Sequence, residues 1–149
     1  MENGLAEYAE LNVSSNFSFL EGGSHPEEIV KRATLLGYRA IALTDRNTLS
    51  GIVRFHMAAK NAGIQAIVGV RIDIEDGSSL ICLPQDLNAY SKLTRLLTLG
   101  KRRSKKSMCR LWRADIIEHA LGQILIVLPP LSFYMPKLHA RQKKIEEEF

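Results

Sequence analysis

The sequence predicts an α/β fold with mainly parallel strands, and three observations carry that reading. Short apolar runs alternate with segments whose apolar residues recur at helical spacing. Glycine, proline and Asp-Gly punctuation separates them at intervals that suit single elements. The resulting order is β-α-β-α-β-β-α-α-β, in which strands joined by crossover helices run parallel in a shared sheet.

Each element has a local reason. Leu11 to Phe19 mixes apolar and small polar residues as a strand does, and Gly22-Gly23 ends it. Ser24-His25-Pro26-Glu27 opens a helix, with serine as cap, proline in the first turn and Glu27 completing a capping box. Ile29, Val30, Ala33 and Leu36 continue it, and Gly37 suits the left-handed residue just past its end. Tyr38 to Leu43 reads as a buried strand, Thr48 to Ala62 as a second helix stopped by Gly63, and Ile64 to Val70 as a third strand extended by Ile72 and Ile74. Asp76-Gly77 marks a turn, so Leu80 to Leu83 returns as a hairpin partner. Asp86 to Leu99 has helical spacing, Ala114 to Ala120 makes a short helix before Gly122, and Gln123 to Leu128 is a last apolar strand closed by Pro129-Pro130.

The 149 residues suffice for one domain with a sizeable core, and 46% hydrophobic with 24% charged residues is ordinary for a globular protein. No run approaches the roughly 18 apolar residues of a membrane span, and the first residues lack the pattern of a secretory signal. Cys82 and Cys109 stand apart and suggest neither a disulfide framework nor a zinc site, so a reducing cytoplasm is the expected setting. The formal charge of +4 is concentrated: Lys101, Arg102, Arg103, Lys105, Lys106, Arg110 and Arg113 share one short segment. Such a segment is either a solvated loop between helices or a surface for phosphate backbones.

In parallel α/β folds, reactive groups collect where strands end. Three such places stand out: Asn12, Ser14, Asn16 and Glu21 after the first strand, Thr44-Asp45-Arg46-Asn47 after the second, and Gly69-Val70-Arg71 within the third. Metal hydrolysis needs several histidines and carboxylates converging on an ion. His25, His56, His119 and His139 form no H-x-H pair and read as surface or packing residues. Asp45 could be a base, a ligand or a helix cap, and residues of its kind before a helix commonly cap it. Ser14 and Ser18 lack a base nearby in sequence, and no P-loop or G-x-G-x-x-G is present. No catalytic residue is assigned from these patterns.

The same three places carry a family resemblance. Tyr8 to Gly22 (YAELNVSSNFSFLEG) resembles the opening strand of the PHP domain of bacterial replicative polymerase alpha subunits. Ala40 to Gly51 (AIALTDRNTLSG) resembles its second motif, usually A-L-T-D-H-G, and Ile67 to Arg71 (IVGVR) its third, usually I-x-G-x-E. Asn88 to Gly100 (NAYSKLTRLLTLG) is similar to the G-Y-x-N-L-x-x-L segment that follows. Four motifs in register cover roughly Tyr8 to Pro130.

The resemblance implies a distorted β/α barrel of which this chain holds about the first half, residues 1–130, followed by a divergent charged tail, 131–149, of a truncated or frameshifted product. It implies a metal site largely erased. The metal-binding form has an H-x-H pair where Asn12 and Ser14 stand, histidine at Arg46, glutamate at Arg71 and a histidine near Ser79, while Glu21 and Asp45 are kept in kind. Asparagine and serine are poor transition-metal ligands, and two arginines repel cations, so the arginines are expected to pair with Glu21 or Asp45 instead. This loss pattern resembles the error-prone, translesion branch. It implies DNA as substrate of the parent polymerase, Mg²⁺ in that polymerase but no cofactor in this piece, a sliding clamp and accessory mutagenesis proteins as partners, and a cytoplasmic setting without a membrane. A PHP-type phosphoesterase and a nucleic-acid-binding module built on Lys101, Arg102, Arg103, Lys105, Lys106 and Arg110 are the alternatives. An incomplete barrel is also expected to leave strand edges bare, giving marginal stability or association.

Overall fold

A computed structural model describes residues 8–129, so the tail 131–149 and His139 lie outside the described residues. Six strands and four helices follow in the order β1 Ala9–Val13, α1 Pro26–Leu35, β2 Ala40–Leu43, α2 Ile52–Ala62, β3 Gln65–Val68, β4 Val70–Asp73, β5 Ser79–Pro84, α3 Leu87–Arg102, α4 Arg113–His119 and β6 Gln123–Leu128. The first three strands make a parallel sheet ordered β1-β2-β3, joined by α1 and α2 as crossovers. The last three make an antiparallel sheet ordered β4-β5-β6, with the β4–β5 hairpin turning at Gly77, whose φ is 85°. The parallel arrangement thus holds for the first half, and hairpin and return connections replace it in the second.

Local chemistry fixes the boundaries and corrects several expected ones. Gly37 and Gly63 take the left-handed conformation that closes α1 and α2. At the start of α1 the cap lies one residue later than Ser24: the His25 backbone N–H donates to Glu28 Oε2 at 2.7 Å. Glu28 therefore does the work expected of Glu27, and Glu27 receives both Nε and Nη2 of Arg54, tying α1 to α2. Helix α2 begins at Ile52 rather than Thr48, because Asn47 has φ 52° and Thr48 and Ser50 bond each other in a turn. The first strand ends at Val13, not Phe19, since residues beyond it fold into turns. Asp86 caps α3 by accepting from the Ala89 N–H at 2.7 Å.

Three apolar layers wrap this chain. Outside the parallel sheet, Val30 and Ala33 of α1 and Phe55 and Ala59 of α2 pack on Ile41 and Leu43. Outside the antiparallel sheet, Leu93, Leu96 and Leu97 of α3 and Ile116 of α4 cover Val70, Ile72, Leu80 and Cys82. Between the two sheets, Ala42, Ile81 and Leu83 meet Leu11, Ile67, Ile126 and Leu128. Helices outside and a strand-lined apolar interior describe part of a barrel. Its last strand is the least covered: Ile124 and Val127 of β6 are 47% and 74% exposed.

The single third strand expected from the apolar run is divided at Gly69. The Gly69 N–H donates to Leu43 O, and beyond it the Arg71 N–H donates to Asp45 O while the Asn47 N–H donates to Arg71 O. The chain therefore stays paired to β2 and its extension while turning from one sheet into the other. A Cβ on Gly69 would lie 2.4 Å from Leu83 Cδ2 and 2.8 Å from Thr44 Cγ2, so only a residue without one passes this seam. Gly69→Ala is expected to destabilise the fold by about 1–3 kcal/mol. Gly23→Ala, whose Cβ would meet nothing within 4 Å, is expected to be neutral or slightly stabilising, both read from urea midpoints at constant m.

Candidate functional site

The polar cluster forms where β1, β2 and β4 end. Asp45 follows β2 directly, and its side chain is only 1% exposed. Its carboxylate accepts from the Ser15 N–H, the Ser15 hydroxyl and the Ser18 hydroxyl, each at 2.7 Å. Ser18 Oγ in turn accepts from the Arg46 N–H at 2.9 Å. Asp45 is thus neither the cap of α2 nor a base open to solvent. It is the anchor of the loop after β1, and a buried carboxylate is tolerable because three donors satisfy it. Gly22 closes that loop: its added Cβ would sit 2.2 Å from the Ser15 carbonyl oxygen.

Beside this anchor lie four charges. Arg46 contacts Glu21 at 3.2 Å and also pairs with Asp73. Arg71 reaches both carboxylates at 3.5 Å, which marks ionic contact rather than well-aligned hydrogen bonding. Burial acts against the Arg46 cation, yet its bonds to Asp73 and the Glu21 charge more than offset this and raise its pKa. The expected pairing with Glu21 is found, but the second partner is Asp73, not Asp45. The signal for it was available: Arg71 and Asp73 are two apart on β4 and therefore share a face. Ser79, opposite Asp73 on β5, donates its hydroxyl to Asp73 Oδ1 at 2.7 Å, and the Asp73 N–H donates to Asn47 Oδ1.

Asn12 is exposed and Ser14 half-buried, and among the described residues neither side chain makes a hydrogen bond. Glu21 and Asp73 are engaged by guanidinium groups, and among the described residues no group of three or more His, Cys, Asp and Glu is placed to hold a metal. The donor set therefore does not fit a metal cluster, since two guanidinium groups already hold its carboxylates. His25, the cap of α1, and His56 on α2 are exposed, and a ring nitrogen of His119 lies 2.9 Å from the Asp115 carbonyl, all outside this cluster. Cys82 is buried, which pushes its thiol up to about 12, and Cys109 is raised for the same first reason.

The basic segment is divided by its partners. Arg103 pairs with Asp115 at 2.7 Å, Arg110 with Glu75 at 2.9 Å and Arg113 with Asp76. Arg103 and Arg110 also lie 5.1 and 5.7 Å from the Trp112 ring centre. Lys101, Lys105 and Lys106 line a cleft next to Arg46, whereas Arg102 and Arg103 line a separate groove between α3 and α4. Of the six predicted nucleic-acid residues, three thus line the cleft and two the groove.

A partial β/α barrel with this cluster at its strand ends defines a class, and sequence comparison agrees. The PHP domain profile matches residues 10–135, and the chain belongs to that family. Among relatives, an error-prone DNA polymerase from Caulobacter vibrioides is 47% identical over 83% of this chain, and one from Rhizobium meliloti is 44% identical over 95%. This chain spans only 11% and 13% of those proteins. Solved structures agree on the fold. An amidohydrolase from Chromobacterium violaceum, with bound sulfate and no metal, aligns at TM-score 0.54 and 26% identity over 63% of this chain and 33% of its own. A candidate metal-dependent phosphoesterase from Bifidobacterium adolescentis aligns at TM-score 0.55 and 20% identity over 65% and 34%. None of the described helices is long and apolar enough to cross a membrane.

Two measurements probe this geometry. Asp45→Ala strands three buried donors and is expected to cost on the order of 3 kcal/mol, against about 1 kcal/mol or less for the half-exposed Arg46→Ala, both from chemical denaturation. Asp76 is held at about 2, from an ordinary 3.8, first by the Ser78 hydroxyl, then by the Ser78 N–H and Arg113. A depressed carboxyl favours the folded state above its unfolded pKa and loses that contribution as pH falls through the folded value. The Asp76 carboxyl signal in NMR is expected to show a midpoint well below the ordinary 3.8, and Arg113→Ala to raise it.

Proposed function

We propose that this chain is a non-catalytic PHP-type structural piece of an error-prone DNA polymerase, its cluster of Arg46, Arg71, Glu21 and Asp73 standing where a metal site would be. One observation carries the non-catalytic reading: two guanidinium groups bind the carboxylates that a cation would need. Support for the parent comes from 47% identity over most of the chain. In this reading DNA synthesis belongs to segments beyond this piece, with Mg²⁺ held there, in damage-tolerant replication and repair in the cytoplasm. DNA, a sliding clamp and accessory mutagenesis proteins are partners of that whole enzyme. The phosphoesterase reading has the fold in its favour but not the donor set.

Two experiments test it. Elemental analysis of the purified chain, after exposure to Mn²⁺ and Zn²⁺ and desalting, is expected to find far less than one equivalent of either metal. Stoichiometric retention, with release of p-nitrophenol from its phosphate ester, would revive the phosphoesterase. For the parent, the nucleotide sequence beyond the Phe149 codon is expected to encode polymerase palm sequence in one of its three frames. Its absence would separate this chain from a polymerase.

A further inference from the structure

A cleft of about 740 Å³ lies between the β2–α2 loop and the basic segment, and Glu21, Arg71 and Asp45 do not line it. Arg46, Asn47 and Thr48 of the β2–α2 loop line it together with Asp73, Ile74 and Glu75 at the end of β4. Lys101, Lys105 and Lys106 of the basic segment line it as well, with Ser104, Ser107 and, from the loop after β1, Phe17 and Phe19.

The charge of this cleft is unevenly committed. Asp73 is taken by Arg46, Arg71 and Ser79, and Glu75 by Arg110. The side chains of the three lysines make no ion pair or hydrogen bond among the described residues. The free charge is therefore cationic, and it is carried by flexible point charges suited to phosphate rather than by forked groups already locked to carboxylates.

The aromatic component is equally uncommitted. Phe19 is 85% exposed and its neighbour Leu20 is 90% exposed, the latter at φ 63°. The loop that presents them is nonetheless fixed: Glu21 and Gly22 N–H groups both donate to Ser18 O, and Ser18 is bound to the buried Asp45. Among the described residues the other two non-glycine residues at positive φ, Asn47 at 52° and Ser107 at 71°, both line the cleft. Positive-φ residues along the cleft and an exposed aromatic ring on a hydrogen-bonded loop are the features of a recognition surface.

From this geometry we infer that the cleft binds single-stranded nucleic acid, its phosphates against Lys101, Lys105 and Lys106 and one base stacked on Phe19. Cationic tracking of the backbone combined with an aromatic platform is how single strands are held without sequence readout. A base offers the flat face that an isolated phenylalanine can cover, and a paired duplex does not. This inference stands on the cleft and does not depend on the polymerase reading.

The test is fluorescence anisotropy of the full chain with a labelled oligo-dT of about twelve nucleotides, titrated at several salt concentrations. The expected log–log salt slope is roughly −2, about −0.7 for each of three phosphates. Alanine at Lys101, Lys105 and Lys106 together is expected to flatten that slope, while Phe19→Ala weakens binding about tenfold at unchanged slope and Phe19→Trp retains it. A control replaces Lys31, Arg32 and Lys60, exposed on α1 and α2, to give the same change in charge. Equal binding of oligo-U assigns the site to either nucleic acid, and weaker binding assigns it to DNA. The inference is overturned if the control weakens binding as much as the cleft variant, if Phe19→Ala changes nothing, or if duplex DNA or polyglutamate binds as tightly as oligo-dT.

Discussion

Asp45 is almost completely withdrawn from water and has no cationic partner among the described residues, so its position depends on three donors from a loop some thirty residues away in sequence. The same residue's carbonyl accepts from the Arg71 N–H. One residue therefore ties the loop after β1 to the end of β2 by its side chain, and β2 to β4 by its backbone. The turn that displays Phe19, the placement of Glu21 and the approach of Arg71 all follow from that junction. Low local polarity strengthens the bonds that hold it and makes any loss among them costly.

Much of this architecture was legible in the residues. β6 was bounded correctly by Gly122 and Pro129, and α1 and α2 ended where glycine could turn left-handed. The β4–β5 hairpin was readable from Asp76-Gly77. Misreadings arose where a distant partner overrides a local pattern. Gly69 interrupts an apolar run because Leu83 and Thr44 crowd it, a contact that sequence spacing does not express. Ser15 and Ser18 sit in a segment with strand-like alternation, but Asp45 draws them into a turn. At the cluster, the family resemblance set Arg46 and Arg71 at former metal positions and offered Glu21 or Asp45 as partner, of which Glu21 is the one found. The share taken by Asp73 was open to the i, i+2 alternation of Arg71 and Asp73, which the reading of the residues did not use.

The basic segment shows how two cations of equal charge divide their work. Arginines 103, 110 and 113 have planar, forked donors and are fixed to carboxylates, two of them also against Trp112. The Arg110 and Arg113 pairs pin this segment to the β4–β5 turn, and the Arg103 pair ties the end of α3 to α4. The lysines, whose ammonium groups carry no such geometric demand, remain at the surface. Structural and solvent-facing charge are thus interleaved along a few residues.

The cluster of two arginines and two carboxylates also constrains how the sequence can drift. Each member touches both opposite charges, so the effect of replacing one depends on which of the others are present. Loss of an arginine leaves two acids crowded together, and loss of an acid leaves two guanidinium groups facing each other. Single replacements therefore pass through a state of unbalanced charge, whereas simultaneous replacements of opposite sign do not. Such epistasis makes the arrangement a ratchet: once both guanidinium groups are seated, the paths leading away from it require coordinated steps, and the four positions are expected to evolve as a unit.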